Sequence, residues 1–245
     1  MSSAPTIESL SHLPIAQVLH AQKFVGPYLS QALQTKNLHL VTQTDSSLSP
    51  DYIFYFSDAP ADIHRFLTSA PTSAKILVAY PLDVSLDEDK LLSTHVNLRL
   101  VTLPPHLYGP KLNLHKSKLL DQLLAAVRDD QPLRISGDGL TQIYPTFIAD
   151  VIAGLTTAMF SAGTAGKHFV LINPQPISLL DFAYLLRSLA PGHQLIEFEE
   201  SRRAFSESPP PSSLSLSENL FESQRQLHWQ PQTDLAAGLQ QTLTS

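Results

Sequence analysis

Asn97-Leu98-Arg99-Leu100-Val101-Thr102-Leu103-Pro104-Pro105-His106-Leu107-Tyr108-Gly109-Pro110 is the stretch on which the reading of this chain turns. Leu98, Leu100, Val101 and Leu103 form a short apolar run of the kind that makes a buried strand. Pro104, Pro105 and the Gly109-Pro110 pair then bar continuation as strand or helix, so the chain must turn out of the sheet. A buried strand ending in a proline-stiffened loop is where an open α/β sheet places its ligand crevice. The residues on either side of this loop differ in character.

Upstream, apolar runs at Ile15 to Leu19, Leu38 to Val41, Tyr52 to Phe56 and Lys75 to Tyr80 read as strands. Between them, residues 24–33, Ala61 to Leu67 and Leu86 to Leu92 read as helices, the last with Asp87, Glu88 and Asp89 in its first turn, where carboxylates suit the helix dipole. With the strand at 97–103 this makes five strands alternating with helices, the pattern of an α/β, doubly wound, Rossmann-like parallel sheet. Downstream, Leu114 to Val127 is an amphipathic helix with Leu119, Leu120, Leu123, Leu124 and Val127 on one face. Leu133 to Ile135 is a brief strand before the tight turn Gly137-Asp138-Gly139. Helices follow at Phe147 to Met159, Leu179 to Leu189 (capped by Ser178), Ser217 to Gln226 and Leu235 to Leu243, with strands at His168 to Ile172 and Gln194 to Phe198. The division drawn is a Rossmann-like domain at 1–110 and a smaller α/β lobe at 111–245 whose helices can return to the sheet.

The 245 residues are 43% hydrophobic and 16% charged, enough to bury a sizeable core in one large domain or a domain with a smaller lobe. The net charge of −6 and the lack of a Lys/Arg stripe argue against a nucleic-acid partner. Having no cysteine removes disulfides, thiolate zinc sites and thiol nucleophiles. The ten histidines show no His-x-x-x-His spacing and offer no metal site. Residues 1–13 lack the basic and apolar regions of a secretory signal, and the apolar stretch 147–162 is too short for a membrane span. The expectation is a cytoplasmic protein with no membrane partner. Arg202 to Ser213, with Pro209-Pro210-Pro211, reads as an exposed stiff loop, with a docking peptide at 206–213 as the other reading.

Five motifs occur in a telling order: Leu-Tyr-Gly-Pro (107–110), Gly-Asp-Gly (137–139), Phe-Ile-Ala-Asp-Val (147–151), Ile-Asn-Pro followed by Ile-Ser-Leu-Leu-Asp-Phe (172–182), and Leu-His-Trp-Gln-Pro followed by Leu-Ala-Ala-Gly-Leu (227–239). Together they resemble the extended short-chain dehydrogenase/reductases, the NAD-dependent epimerase/dehydratase family that acts on nucleotide sugars. The resemblance implies a Rossmann-like fold, an NAD(P) cofactor, a homodimer and a substrate-binding C-terminal lobe.

Matched to that family residue by residue, the scaffold is kept and the chemistry is not. Of the glycine-rich turn after the first strand only Gly26 remains, with His20 and Lys23 at the first two glycine positions. The first glycine makes the tight turn and the second admits the pyrophosphate. Lys23 is either a phosphate-binding charge at a helix N-terminus or part of a turn that no longer binds cofactor. Asp45 stands where a ribose-binding carboxylate can lie, or is a plain turn residue. The family's Tyr-x-x-x-Lys pair, in which Lys lowers the Tyr pKa to make a base, is not recognisable. The strand at 75–79 runs into Tyr80-Pro81 where a Ser is expected. Leu86 to Lys90 has the spacing but carries Leu at the Tyr position, and a better alignment makes Asp89-Lys90-Leu91-Leu92 the later part of that helix with the Tyr-x-x-x-Lys segment deleted. Tyr80 is either a substitute acid/base or an aromatic at a strand end. At least one strand–helix unit is trimmed between Asp45 and Asn97, along with helices that form the family's dimer, so that homodimer is in question.

On the substrate side, Leu103 and His106 replace the family's Arg and Asn, and Ile143 and Tyr144 replace an Arg-Asp pair whose Arg clamps a ligand phosphate. His106 reads as a ligand binder and proton shuttle or as a structural hydrogen-bonder; Tyr108 and Tyr144 are the remaining substrate-lobe candidates. Two functions follow. The first is a pseudoenzyme of nucleotide-sugar or polysaccharide metabolism that binds a small molecule or a protein partner. The second is an active NAD(P)-dependent epimerase, dehydratase or reductase with a remodelled cofactor turn.

Overall fold

The computed structural model describes residues 13–22, 25–42, 49–110, 118–192, 194–199 and 214–244. In the first half β1 (Ile15–Leu19), α1 (Gly26–Gln34), β2 (His39–Val41), β3 (Tyr52–Phe56), α2 (Pro60–Ser69), β4 (Lys75–Pro81), α3 (Glu88–Thr94) and β5 (Leu98–Leu103) alternate as the apolar runs predict. After the prolines come β6 (Leu107–Tyr108), α4 (Lys118–Arg128), β7 (Leu133–Ser136), β8 (Gln142–Ile143), β9 (Thr146–Phe147) and α5 (Ile148–Phe160). The chain ends with β10 (Lys167–Val170), β11 (Ile177–Ser178), α6 (Leu179–Leu189), β12 (Ile196–Glu199), α7 (Leu214–Leu227) and α8 (Leu235–Leu243).

The main sheet has six strands in the order β2-β1-β3-β4-β5-β10, every pair parallel. The sixth strand corrects the count of five: β10 comes from the second half and pairs with β5, so the sheet draws on both sides of residue 110. The order is that of a doubly wound sheet without its outermost first-half strand, since β2 is the edge among the described residues. This is where the sequence indicated a trimmed unit. The free edge of β10 is covered by α7, whose Ser223 hydroxyl accepts the Val170 N–H at 2.7 Å.

Side chains alternate across the sheet. Ile76, Val78 and Tyr80 of β4 face α2 and α3 together with Ile63, Leu67 and Leu91. Leu77 and Ala79 face the other way, in one continuous core with Leu29 of α1 and Leu155 of α5 that runs on through α4, α6 and α8. β5 lies between two strands and two helical layers, so all six of its residues are buried, the polar Arg99 and Thr102 included. The Arg99 guanidinium donates to Thr164 Oγ1 at 3.1 Å and to the Asn97 carbonyl at 2.7 Å.

The two-residue ladders β6–β9 and β8–β11 leave no mark in the sequence, because a pair that short has no periodicity. Leu107-Tyr108 pairs with Thr146-Phe147 straight after the prolines, so that loop is partly strand. The expected loop at 202–213 lies outside the described residues.

Two of the sequence motifs prove to be one junction. Asp150, in the first turn of α5, is buried, and its carboxylate accepts the N–H groups of Gln232 at 3.0 Å and Thr233 at 3.2 Å. The Trp229 indole N–H donates to the Asp150 carbonyl at 2.8 Å. Gly154, one turn on, must lack a side chain: a Cβ there would press on Leu171 and the indole nitrogen of Trp229. Asp150→Ala leaves two amides without their acceptor and is expected to cost about 3 kcal/mol. The urea midpoint should fall at unchanged m-value; an unchanged midpoint would refute this junction.

Candidate functional site

From β1 the chain moves outward to β2, and from β3 it moves the other way to β4, β5 and β10. The carboxyl ends of β1 and β3 are therefore the topological switch point, where open α/β sheets bind ligands. Gly26 sits here at the start of α1, and a Cβ on it would overlap the Ala21 carbonyl. That meets the role of a third glycine, close packing of helix on strand. His20 follows β1 directly with φ 55°, a left-handed backbone that costs an L-residue roughly 1–2 kcal/mol. Its Nδ1–H donates to the Phe56 carbonyl at 2.9 Å, an interaction worth about 1 kcal/mol that offsets much of that cost. Lys23 and Asp45 lie outside the described residues. The turn thus fits a dinucleotide at Gly26 and fails to fit it at His20, whose ring crosses the strand ends.

A second group of functional side chains gathers at the end of β4. The Tyr80 hydroxyl donates to Glu88 Oε1 at 2.6 Å and lies 3.1 Å from His168 Nε2. His168 Nδ1 is 2.9 Å from Glu88 Oε2, and its Nε2 is 2.8 Å from Thr102 Oγ1. The register explains the meeting: Tyr80 pairs with Thr102, and His168 pairs with Leu100 on the same face, while α3 lowers Glu88 over them. Burial raises the Tyr80 pKa well above that of an ordinary phenol, and the Glu88 charge and hydrogen bond raise it further. Burial pushes the Glu88 carboxyl up, but its bond to His168, the His168 charge and the Tyr80 hydrogen bond outweigh this and hold it below the ordinary value. Thr102, His168 and Glu88 follow one another as hydroxyl, imidazole and carboxylate, the order of a nucleophile triad. Thr102, next to last in β5, is only 3% exposed, which leaves its hydroxyl no access to a substrate.

Of this cluster the sequence singled out only Tyr80. Glu88 and Asp89 lie in the first turn of α3 as expected, while Asp87 is its N-cap, with a side chain that accepts the Lys90 N–H. No spacing signal links Tyr80 to a histidine 88 positions away.

The remaining candidates lie in the loop after β5. The Tyr144 N–H donates to His106 Nδ1 at 3.2 Å, and the His106 carbonyl accepts the Thr146 N–H at 2.9 Å. His106 thus fastens the segment that leads into β9, and burial pushes its pKa down to about 4. Tyr108 is 2% exposed, packed on Phe147 with ring centroids 5.4 Å apart and too close to Gly238 to admit a Cβ there. Leu103 and Ile143, at the family's two Arg positions, are both buried in the core. Tyr144 is partly exposed and the one tyrosine of this loop that a ligand can reach. Among the described residues no acidic or histidine group forms a metal site, and no helix is long and apolar enough to cross a membrane.

No family model matches the chain. UDP-glucuronic acid decarboxylase 1 of Arabidopsis thaliana is 23% identical over 132 residues, 54% of this chain and 28% of that protein. The match thus spans less than a third of the curated relative. Among solved structures, UDP-glucuronic acid 4-epimerase of Bacillus cereus superposes with TM-score 0.69 at 15% identity, over 94% of this chain and 98% of that one. The dTDP-glucose 4,6-dehydratase of Bacillus anthracis does so with TM-score 0.70 at 11% identity, over 94% and 96%. The chain has the Rossmann-like fold of the extended short-chain dehydrogenase/reductases. Its structural neighbours are the nucleotide-sugar epimerases and dehydratases that its motifs resemble, both of these two solved with NAD.

Two titrations follow. His106 has its pKa depressed from 6.5 to about 4, so the unfolded chain binds the extra proton between those values. The stability due to neutral His106 is complete above 6.5 and is lost as pH falls toward 4. The Glu88 carboxyl is depressed too, so its contribution is present above the ordinary 4.5 and lost only as pH falls through its lower folded value. In melting profiles against pH, His106→Gln should flatten the limb between 6.5 and 4, and Glu88→Gln should flatten the more acidic limb. Identical profiles for wild type and both variants would contradict the assignment. Tyr80→Phe removes a bond to a charged acceptor and should cost about 1.5–3 kcal/mol in chemical denaturation.

Proposed function

We propose that this chain is a degenerate relative of the NAD-dependent epimerases and dehydratases that has given up their redox chemistry. It serves nucleotide-sugar or polysaccharide metabolism in the cytoplasm, as a ligand-binding or regulatory protein. The observation that carries this reading is the environment of Tyr80. In the family a lysine lowers the pKa of a tyrosine so that the phenolate takes a proton from a sugar hydroxyl. Here the tyrosine at the strand end is 1% exposed, and its hydroxyl is bound to a carboxylate. Burial and Glu88 act together to keep the proton on, the reverse of what a base needs.

The missing phosphate clamp supports the same reading. A bidentate guanidinium has become Ile143, fully buried in the core. The neighbours act on UDP- and dTDP-sugars, and that class of small molecule is the ligand this fold would retain, without nucleic acid. A protein partner is the second kind of target for a regulator.

The test is direct. The wild-type chain is incubated with NAD+ and UDP-glucuronic acid, UDP-glucose or dTDP-glucose, and sugar products are followed by NMR and NADH by absorbance. No turnover is expected, while at least one nucleotide sugar raises the melting temperature by mass action. NAD+-dependent epimerisation, dehydration or decarboxylation would overturn the proposal.

A further inference from the structure

The crevice at the β1–β3 switch point keeps the packing half of a dinucleotide turn and loses the ligand half. Gly26 remains glycine where a Cβ would overlap the Ala21 carbonyl, so α1 still seats closely on β1. His20 replaces the glycine of the tight turn, yet its backbone keeps the left-handed φ of 55°. From that backbone the imidazole reaches across the strand ends and donates to the carbonyl of Phe56, the last residue of β3. The Tyr55 ring lies 5.0 Å from it, and Phe66 of α2 stacks on Tyr55 at 4.0 Å and 2° between planes. The imidazole is therefore gripped by an acceptor on the neighbouring strand and backed by an aromatic pair.

A pyrophosphate binds at such a turn because bare backbone lets it approach the helix N-terminus. At this turn it would meet a ring instead. The Nδ1 side of the ring is already committed to Phe56 and is not available to an incoming phosphate.

We infer that the His20 imidazole is an internal occupant of the crevice, by which the chain excludes a dinucleotide with its own side chain. This deepens the proposed loss of redox function by assigning the exclusion of cofactor to one residue. It has a consequence that a general decay of the site lacks: removing the ring reopens the turn. Glycine takes the φ of His20 without strain, so His20→Gly clears the crevice and relaxes the backbone in one step.

The experiment is a calorimetric titration of the full chain with NAD+, wild type against His20→Gly. Wild type should show no saturable binding at millimolar NAD+. The variant should bind saturably, at least roughly tenfold more tightly than the wild-type limit. Should His20→Gly fail to fold, His20→Asn replaces it: Asn tolerates left-handed φ and is too short to span to Phe56. Equal binding by wild type and variant overturns the inference, and so does a folded variant that binds no better than wild type. NAD+ binding by wild type without turnover sinks this inference alone and leaves the proposed loss of chemistry standing; wild-type turnover sinks both.

Discussion

β5 is hydrogen-bonded on both edges and covered on both faces, and much of the rest follows from that confinement. A strand so placed must satisfy every polar group within the protein, because no water reaches it. Arg99 and Thr102 are the two polar residues of its six. Arg99 turns to Thr164 and the Asn97 carbonyl. Thr102 turns to His168 on β10, the strand brought back from the far half of the chain. His168 then calls for a carboxylate, and α3 supplies Glu88 over the same face. Tyr80 completes the group from β4. The cluster of titratable side chains is thus the way a buried central strand satisfies its own hydroxyl.

That origin also sets the protonation and the access of these groups. Catalysis needs a base with its pKa lowered toward the working pH and a path for substrate. Tyr80 is pushed the other way by burial and by Glu88, and Thr102 is buried near the end of β5. The same holds around the loop after β5. His106 spends its ring nitrogen on the Tyr144 amide, and Tyr108 spends its ring on Phe147 and α8. His106, Tyr108 and Ile143 thus turn their side chains to the protein itself, while Tyr144 stays partly exposed.

The sequence was legible where the physics is local. Apolar runs marked Tyr52–Phe56 and Leu235–Leu243 to the residue, and Ser178 showed itself as a cap, its hydroxyl accepting the Asp181 N–H at 3.0 Å. A short first half agrees with β2 being the edge strand among the described residues. What escaped was whatever depends on register between distant segments. The ladders β6–β9 and β8–β11 are too short to leave a pattern, and β10 as the sixth strand is a matter of which edge was left open.

By itself, then, the sequence determined the fold class, and the resemblance set His20 and Tyr80 where the family carries other residues. Periodicity, turn residues and motif order are properties of neighbouring positions, legible before any strands pair. Only the tertiary structure decided what the substitutes do. Whether His20 points outward or across to Phe56, and whether Tyr80 meets a cation or a carboxylate, depends on groups 36 and 8 residues away that the sheet and α3 bring within hydrogen-bond distance. A pKa and an occupied crevice are set by what lies within a few ångströms, and that neighbourhood exists only once the strands have paired.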